Sequence, residues 1–462
     1  MSELWEFNAT QLTHLVSSKQ VSCLEIVEAY FSRISEVNGS INAITVSLEE
    51  SARETAIASD KFVAAGKLAP LTGVPISIKE NQDVAGSATT LGLIPLKNAA
   101  AATDAVHIGE LRSAGAIPIA RTNMPEFGMR WHTSNGIYGP TLNPRNVELT
   151  PGGSSGGEAA AIASGMSPLG IGNDGAGSLR WPAQCCGISA LKPSLGRIPI
   201  ASNNEMPMPA AFQLLGVHGP MARHIDDLEL AFRHMCSGST SDPWHIEAPY
   251  EGKTLEAPIH IGIVNNLSAS PGIAFALQKA TDMLKDAGYV TKDVSLPSLD
   301  RGMEIYTQIM SSFGRLTAEP ERAPVGVVSE EYDQFWAHFN EPWNEASGKK
   351  THDPLMERAA IYHEWFEMMS ETPLIVSPIS IRQPWEVGAD LDSTWIRGWL
   401  DDIKTVVIVN LLGLPAVSLP VIEHNGLPQV IQIIGPRFRE DLCIAAAEKI
   451  ERRAEYARLA NP

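Results

Sequence analysis

Three residues lie in contexts rich in small side chains and could together do nucleophilic chemistry. Lys79 ends the run Leu71-Thr-Gly-Val-Pro-Ile-Ser-Ile-Lys79. Ser154 sits in Pro151-Gly-Gly-Ser154-Ser-Gly-Gly157, and Ser178 in Gly172-Asn-Asp-Gly-Ala-Gly-Ser178-Leu-Arg180. A serine hydroxyl is a poor nucleophile at neutral pH and needs a positioned base. A lysine can be that base only when neutral, so its ordinary pKa of about 10.4 must be lowered by burial or by nearby positive charge. The arrangement points to acyl transfer, with Ser178 attacking a carbonyl carbon. Ser154 passes the proton to Lys79 and later returns one to the departing amine.

Acyl transfer also needs donors for the developing oxyanion. The small residues before Ser178 let the N–H groups of Gly175, Ala176, Gly177 and Ser178 turn toward one point, and losing one such donor typically costs about 2.7–4 kcal/mol of transition-state stabilisation. Gly152 and Gly153 leave room beside Ser154 for unusual backbone geometry, including a non-proline cis bond. Gly152-Gly-Ser154-Ser-Gly156 also satisfies GxSxG, the nucleophile elbow of α/β-hydrolases. That reading makes Ser154 the nucleophile and calls for a late histidine, for which only His424 follows His363. A phosphate loop is disfavoured because no Gly-Lys-Ser/Thr follows the glycines. The twelve histidines show no HExxH or similar spacing, so neither a metal nor an organic cofactor is expected.

The elements that must position these residues read as α/β. Ser22-x-x-Glu25 is a capping box opening a helix that Asn38-Gly39 should break, and Ser47-x-x-Glu50 opens another to about residue 64. Val74, Ile76 and Ile78 alternate with Pro75, Ser77 and Lys79, which predicts a strand delivering the lysine to a loop. A helix over about 104–114 and a strand at 116–120 complete a βαβ unit. A helix without large side chains is expected at 158–164, and a strand at 168–172 brings in the Ser178 loop. Strand-like runs follow at 404–409, 415–421 and 429–434, before a helix over about 439–458.

The bulk properties set limits. Hydrophobic residues at 44% and charged residues at 19% predict a globular protein with a large core. The charge of −18 argues against nucleic-acid or anionic-membrane binding, where a basic surface supplies the attraction. Five scattered cysteines make no disulfide framework. No signal peptide or membrane-length apolar run is evident, so a cytoplasmic location is expected.

With these motifs in order, the chain resembles the amidase signature family, whose members hydrolyse amides with a Ser–cis-Ser–Lys triad. Leu-x-Gly-Val-Pro-x-x-x-Lys matches the family lysine at Lys79. Gly-Gly-Ser-Ser-Gly-Gly places the cis-serine at Ser154, beside Ser155. Asp-x-x-Gly-Ser-x-Arg places the nucleophile at Ser178, with Asp174 and Arg180 bracing the loop. Thr122-Asn-Met-Pro-Glu126 resembles the segment lining the acyl pocket, and substrate contacts are expected just beyond it at Gly128, Met129 and Trp131. Cys186-Gly, Leu191-Lys-Pro-Ser194, Asn410-Leu-Leu-Gly-Leu-Pro-Ala416 and Gly426-Leu-Pro also match.

The resemblance implies one α/β domain over 1–462, a large mixed sheet with helices on both faces. Its parts are an N-terminal helical segment (1–65), a catalytic core (66–215), a variable pocket region (216–400) and a C-terminal sheet and helix (401–462). A homodimer is implied as well. One departure is Asn173-Asp-Gly-Ala-Gly-Ser178, where most members have Thr-Asp-x-Gly-Gly-Ser; the variant is similar to the branch acting on nylon-type cyclic amides and some carbamates. The expected partner is therefore a small-molecule amide, or alternatively a carbamate cleaved by the same residues. A further rival is the glutaminase subunit of a tRNA-dependent amidotransferase, and a last one a non-enzymatic binding protein. Tyr306, Phe313, Trp336, Trp343, Trp395 and Trp399 are core by default, with a minority lining the pocket.

Overall fold

The computed structural model describes residues 3–200, 208–237, 242–318, 327–346, 353–456 and 458–462, with side chains given outside 311–318 and 340–346. One 11-stranded mixed sheet spans the molecule. Its strands are β1 (Ile44–Ser47), β2 (Pro75–Lys79), β3 (Ile117–Thr122), β4 (Leu169–Asp174), β5 (Ser189–Lys192) and β6 (Val217–Ala222), then β7 (His260–Ile263), β8 (Val290–Asp293), β9 (Leu374–Pro378), β10 (Ala416–His424) and β11 (Leu427–Ile434). They are ordered β1-β3-β2-β4-β6-β5-β10-β11-β9-β7-β8. β2 runs parallel to both β3 and β4, and β7 to both β8 and β9. The strands between these blocks pair antiparallel.

The sheet separates two apolar cores. Ile76, Ile78, Leu169 and Ile171 pack with Ile108 and Leu111 of helix Val106–Ser113 and with Leu228 and Phe232 of helix Ile225–Met235. The other core contains Ala159, Ala160 and Ile162 of helix Gly156–Ala163, together with Ile117 and Ile119. β2 is buried on both faces, which is usual for a parallel strand covered on both sides. Pro75 is its first residue, so the missing N–H does not interrupt the ladder. β2, helix Val106–Ser113 and β3 form the expected βαβ unit, and Lys79 closes β2.

Several sequence expectations need correction. The first 65 residues are not wholly helical, because β1 pairs with β3 at the sheet edge. Ser22 and Glu25 do form the capping box, but the helix they open runs through Asn38-Gly39 to Ile41 and stops where Asn42 turns left-handed, φ 56°. Ser47 is the last residue of β1 and not a helix cap; helix Glu49–Ala64 begins after Leu48. The run at 404–409 is part of helix Lys404–Leu411, whose residues from Thr405 onward are all buried. Its β-branched residues favour a strand, but a helix buried on every side can also house them. No described helix is long and apolar enough to cross a membrane.

Helix Gly156–Ala163 is buried throughout, and its approach to β3 depends on missing side chains. A Cβ on Gly157 would lie 2.5 Å from the backbone N and O of Asn123. Gly157→Ala should therefore push the helix off the sheet and lower stability by about 1–3 kcal/mol, measured by urea unfolding.

Candidate active site

Lys79 is completely buried at the carboxyl end of β2. Its Nζ donates to Ser154 Oγ at 2.7 Å and Ser155 Oγ at 2.9 Å, and also to Asn173 Oδ1. Burial pushes its pKa down to about 7, although the carboxylates of Asp174 and Glu158 act in the opposite sense. Glu158, buried one helical turn beyond the serines, accepts from Ser77 Oγ and from Thr122 Oγ1 (2.7 Å). Its carboxyl is raised to about 7 by the same desolvation.

Ser154 enters through a non-proline cis peptide from Gly153 and is 2% exposed. The loop before it is held by hydroxyls the motif does not contain. Thr133 Oγ1 donates to Gly152 O at 2.9 Å and accepts from Gly156 N at 3.1 Å, while Thr150 Oγ1 accepts from Gly152 N at 3.0 Å. There is no room for a side chain at Gly153, where a Cβ would meet Arg130 O at 2.5 Å.

Ser178 is 8% exposed and stands in a loop organised by Asp174. Asp174 Oδ1 accepts from Gly177 N at 2.7 Å and Oδ2 from Leu179 N at 3.1 Å. The Arg180 guanidinium binds both oxygens, at 3.0 and 3.1 Å, and also reaches Gln432 Oε1, Val406 O and Asn410 Oδ1. Burial alone would raise the Asp174 pKa, but Arg180, the nearby Lys192 and the Gly177 N–H hold it down at about 2. Gly177 thus spends its N–H on Asp174. Gly175, Ala176 and Ser178 face the cavity, and Gly177 is not among its lining residues.

That cavity, about 700 Å³, opens at the carboxyl ends of β2 and β4 and the amino end of β6. Gly128, Met129 and Trp131 line it as the sequence predicts, next to Ser154 and Ser178. Gly128 needs to be glycine: its φ is +70°, and a Cβ would come within 3.3 Å of Ser154 Oγ. Trp131 Nε1 donates to Ala176 O at 3.0 Å, tying this wall to the Ser178 loop. Thr122–Glu126 lies behind the wall; Asn123, for example, holds Gly139 O and Thr141 Oγ1 at 3.0 Å each.

Tyr306 and Trp336 line the cavity with Phe335 and Phe339, two residues that sequence reasoning passed over. Their spacing on helix Glu330–Ala346, one turn apart, was the available signal. Trp395 and Trp399 are not among the cavity's lining residues; they stack on each other and meet Trp385 edge-on. The side chains of Phe313 and Trp343 lie outside the described residues. His424 ends β10 at the turn into β11, and Ser154 pairs with Lys79 instead of any histidine, which disfavours the nucleophile-elbow reading. Asn173 as a lysine partner, and Glu158 behind it, were also missed, since both depend on which strands become neighbours.

The comparisons with known proteins agree with this architecture. The amidase family model matches residues 25–444. The chain is 34% identical to an indoleacetamide hydrolase of Bradyrhizobium diazoefficiens over 461 residues, covering 98% of this chain and 87% of that one. It is 30% identical to a glutamyl-tRNA(Gln) amidotransferase subunit of Deinococcus radiodurans over 476 residues, 96% of each. Among solved structures, 6-aminohexanoate cyclic dimer hydrolase superposes with a TM-score of 0.82 at 26% identity, covering 98% of each chain. The chain belongs to the amidase family, with the amidase signature fold, and is an amidohydrolase acting on carbon–nitrogen amide bonds.

Removing Arg180 should leave the Asp174 carboxylate buried without its counter-charge. Arg180→Leu is expected to cost about 3–5 kcal/mol in denaturant unfolding at neutral pH. Asp174 sets the pH window: its stabilisation is complete above about pH 3.9 and is lost as pH falls through about 2.

Proposed function

We propose that the protein cleaves an aryl or otherwise hydrophobic amide through an acyl-enzyme on Ser178, with Ser154 as proton shuttle and Lys79 as base. The observation that carries this is the 2.7 Å contact between Ser154 Oγ and an amine wholly removed from water. Its pKa near 7 leaves a large neutral fraction at working pH, and general-base efficiency is greatest when the base titrates near that pH.

In this mechanism the substrate carbonyl lies between Ser178 Oγ and the N–H groups of Gly175, Ala176 and Ser178, with Gly177 bracing the loop. As Ser178 attacks, its proton moves to Ser154 Oγ, whose own proton moves to Lys79 Nζ. The return of a proton along the same path lets the amine leave. Water then repeats the sequence to release the acid and restore Ser178. Ser155 and Asn173 hold Nζ in line by their hydrogen bonds.

The substrate class follows from the walls. Trp131, Phe335, Trp336 and Phe339 offer aromatic surface with few polar atoms, a setting for a flat or hydrophobic group. The indoleacetamide hydrolase relative supports an aryl amide, and the Asn173–Ser178 loop variant a nylon-type amide. The same aromatic wall disfavours glutamine, a small polar substrate, as the natural acyl donor.

Two measurements test the proposal. On an aryl amide, Ser178→Ala and Lys79→Ala should lower kcat at least about a thousandfold and Ser154→Ala about a hundredfold or more, with folding unchanged by circular dichroism. Retention of most activity by Ser178→Ala would overturn the assignment. Second, kcat/KM should rise with pH through about 7 and then level, because the base works only when unprotonated. A flat profile between about pH 6 and 9 is incompatible with a lysine base. An aryl carbamate assayed beside the aryl amide decides between the two substrate types.

A further inference from the structure

The cavity has a second polar end that the hydrolytic residues do not use. His218, near the start of β6, pairs directly with Asn173 of β4, so the two side chains share one face of the sheet. On that face His218 stacks on His107 from helix Val106–Ser113, with ring centroids 4.3 Å apart and planes 26° apart. Both rings line the cavity, together with Asn81 and Gln82 from the loop after Lys79.

Hydrogen bonding fixes the chemistry of this end. Gln82 Nε2 donates to Ile171 O at 2.9 Å, so Gln82 Oε1 is the acceptor for His107 Nε2, which must carry the proton. Burial keeps His107 neutral, with its pKa well below the usual imidazole range. Its Nδ1 is then a bare lone pair, and it is buried without a donor among the described residues. Asn81 Oδ1 is likewise buried without a partner among the described residues. His218 is neutral too, pushed down to about 4 by burial and by the nearby Lys79. Its Nδ1 is likewise buried with no partner among the described residues, while the residue as a whole is only partly covered.

Several other polar side chains around the cavity are occupied, although Trp336 Nε1 is also buried without a partner among the described residues. Arg130 is held by Asp390 and Glu331, Gln82 by Ile171 and His107, and Asn173 by Lys79. The imidazole pair thus brings unpaired ring nitrogens, with the acceptor fixed at His107 Nδ1, to a largely apolar chamber. A few placed polar groups in such a chamber are what orient a ligand.

We propose that His218, held in plane by His107, is a specificity-determining substrate contact that accepts a hydrogen bond from an N–H or O–H group carried by the substrate away from its scissile amide. The subsite rests on the reading of this cavity as the place where an amide substrate lies. It selects substrates bearing a phenol, an azole N–H or a second amide over apolar isosteres, because a site built to pair with a donor rejects the analogue lacking it.

The experiment separates binding from turnover. Ser178→Ala protein is titrated calorimetrically with phenylacetamides hydroxylated at the ortho, meta or para position, each beside its methyl isostere. The titrations are repeated with His218→Phe, His218→Leu or His218→Gln added. At one ring position at least, the hydroxyl compound should bind about tenfold tighter than its isostere. The apolar variants should bring that ratio to about one and the glutamine variant should keep it, since its amide still offers an acceptor. A ratio near one in the parent, or a ratio unchanged by Phe and Leu, overturns the proposal. Hydrolysis of the same compounds by wild-type protein is followed in parallel. If none is cleaved while the binding preference holds, the reaction proposed above falls and the subsite stands; cleavage of both members without any preference does the reverse.

Discussion

The burial of one amine at the end of β2 governs the rest of this site. A lysine in water is an ammonium ion and an acid, so it cannot take a proton from a hydroxyl. Lys79 is enclosed by β2, β4 and helix Gly156–Ala163, where desolvation outweighs the opposing pull of Asp174 and Glu158 and brings its pKa to about 7. Three oxygen partners, from Ser154, Ser155 and Asn173, then fix Nζ in direction as well as position. Everything around it serves either to keep water out or to hold those oxygens.

The glycines and alanines around Ser154 gain meaning from this constraint. A helix of Gly-Gly-Glu-Ala-Ala-Ala-Ile-Ala can press against the sheet closely enough to seal the amine, and a bulkier helix could not. The opposite side is sealed by Asp174 and Arg180, an ion pair with no exposed atoms in either side chain. Such a pair is weak evidence for stability, because desolvation offsets much of the attraction. Its value here is geometric: Asp174 directs the N–H groups of Gly177 and Leu179, and Arg180 anchors the loop to Val406, Asn410 and Gln432 of the C-terminal region. The Ser178 loop is thereby held by residues more than two hundred positions away.

The cavity combines two kinds of wall. Trp131 links the aromatic side to the Ser178 loop through its hydrogen bond to Ala176, and Phe335, Trp336 and Phe339 continue that surface from a distant helix. The imidazoles of His107 and His218 face it from the other side of the sheet. One wall supplies apolar contact and the other supplies direction. The amidase fold provides the hydrolytic centre, and these walls decide what reaches it.

Much of the centre was legible in the amino-acid order because its parts are local. Pro151–Gly157 and Gly172–Arg180 each pack a small-residue turn and a candidate serine into a few positions, and the alternation before Lys79 marks a strand. The capping box at Ser22 is local in the same sense. By contrast, 404–409 reads as a strand from its β-branched residues, yet it lies in helix Lys404–Leu411, where burial from Thr405 onward accommodates them. No local pattern marks Asn173 as a lysine partner, Gly177 as a brace, or His218 as a neighbour of His107. Those contacts are set by the adjacency of β2, β4 and β6 and by the helices laid across them. The chain order therefore determined which groups could react, since backbone turns and side-chain chemistry are short-range properties. Only the tertiary structure decided which would be stripped of water, paired or left facing the cavity, because desolvation and long-range contact exist only once the sheet is assembled.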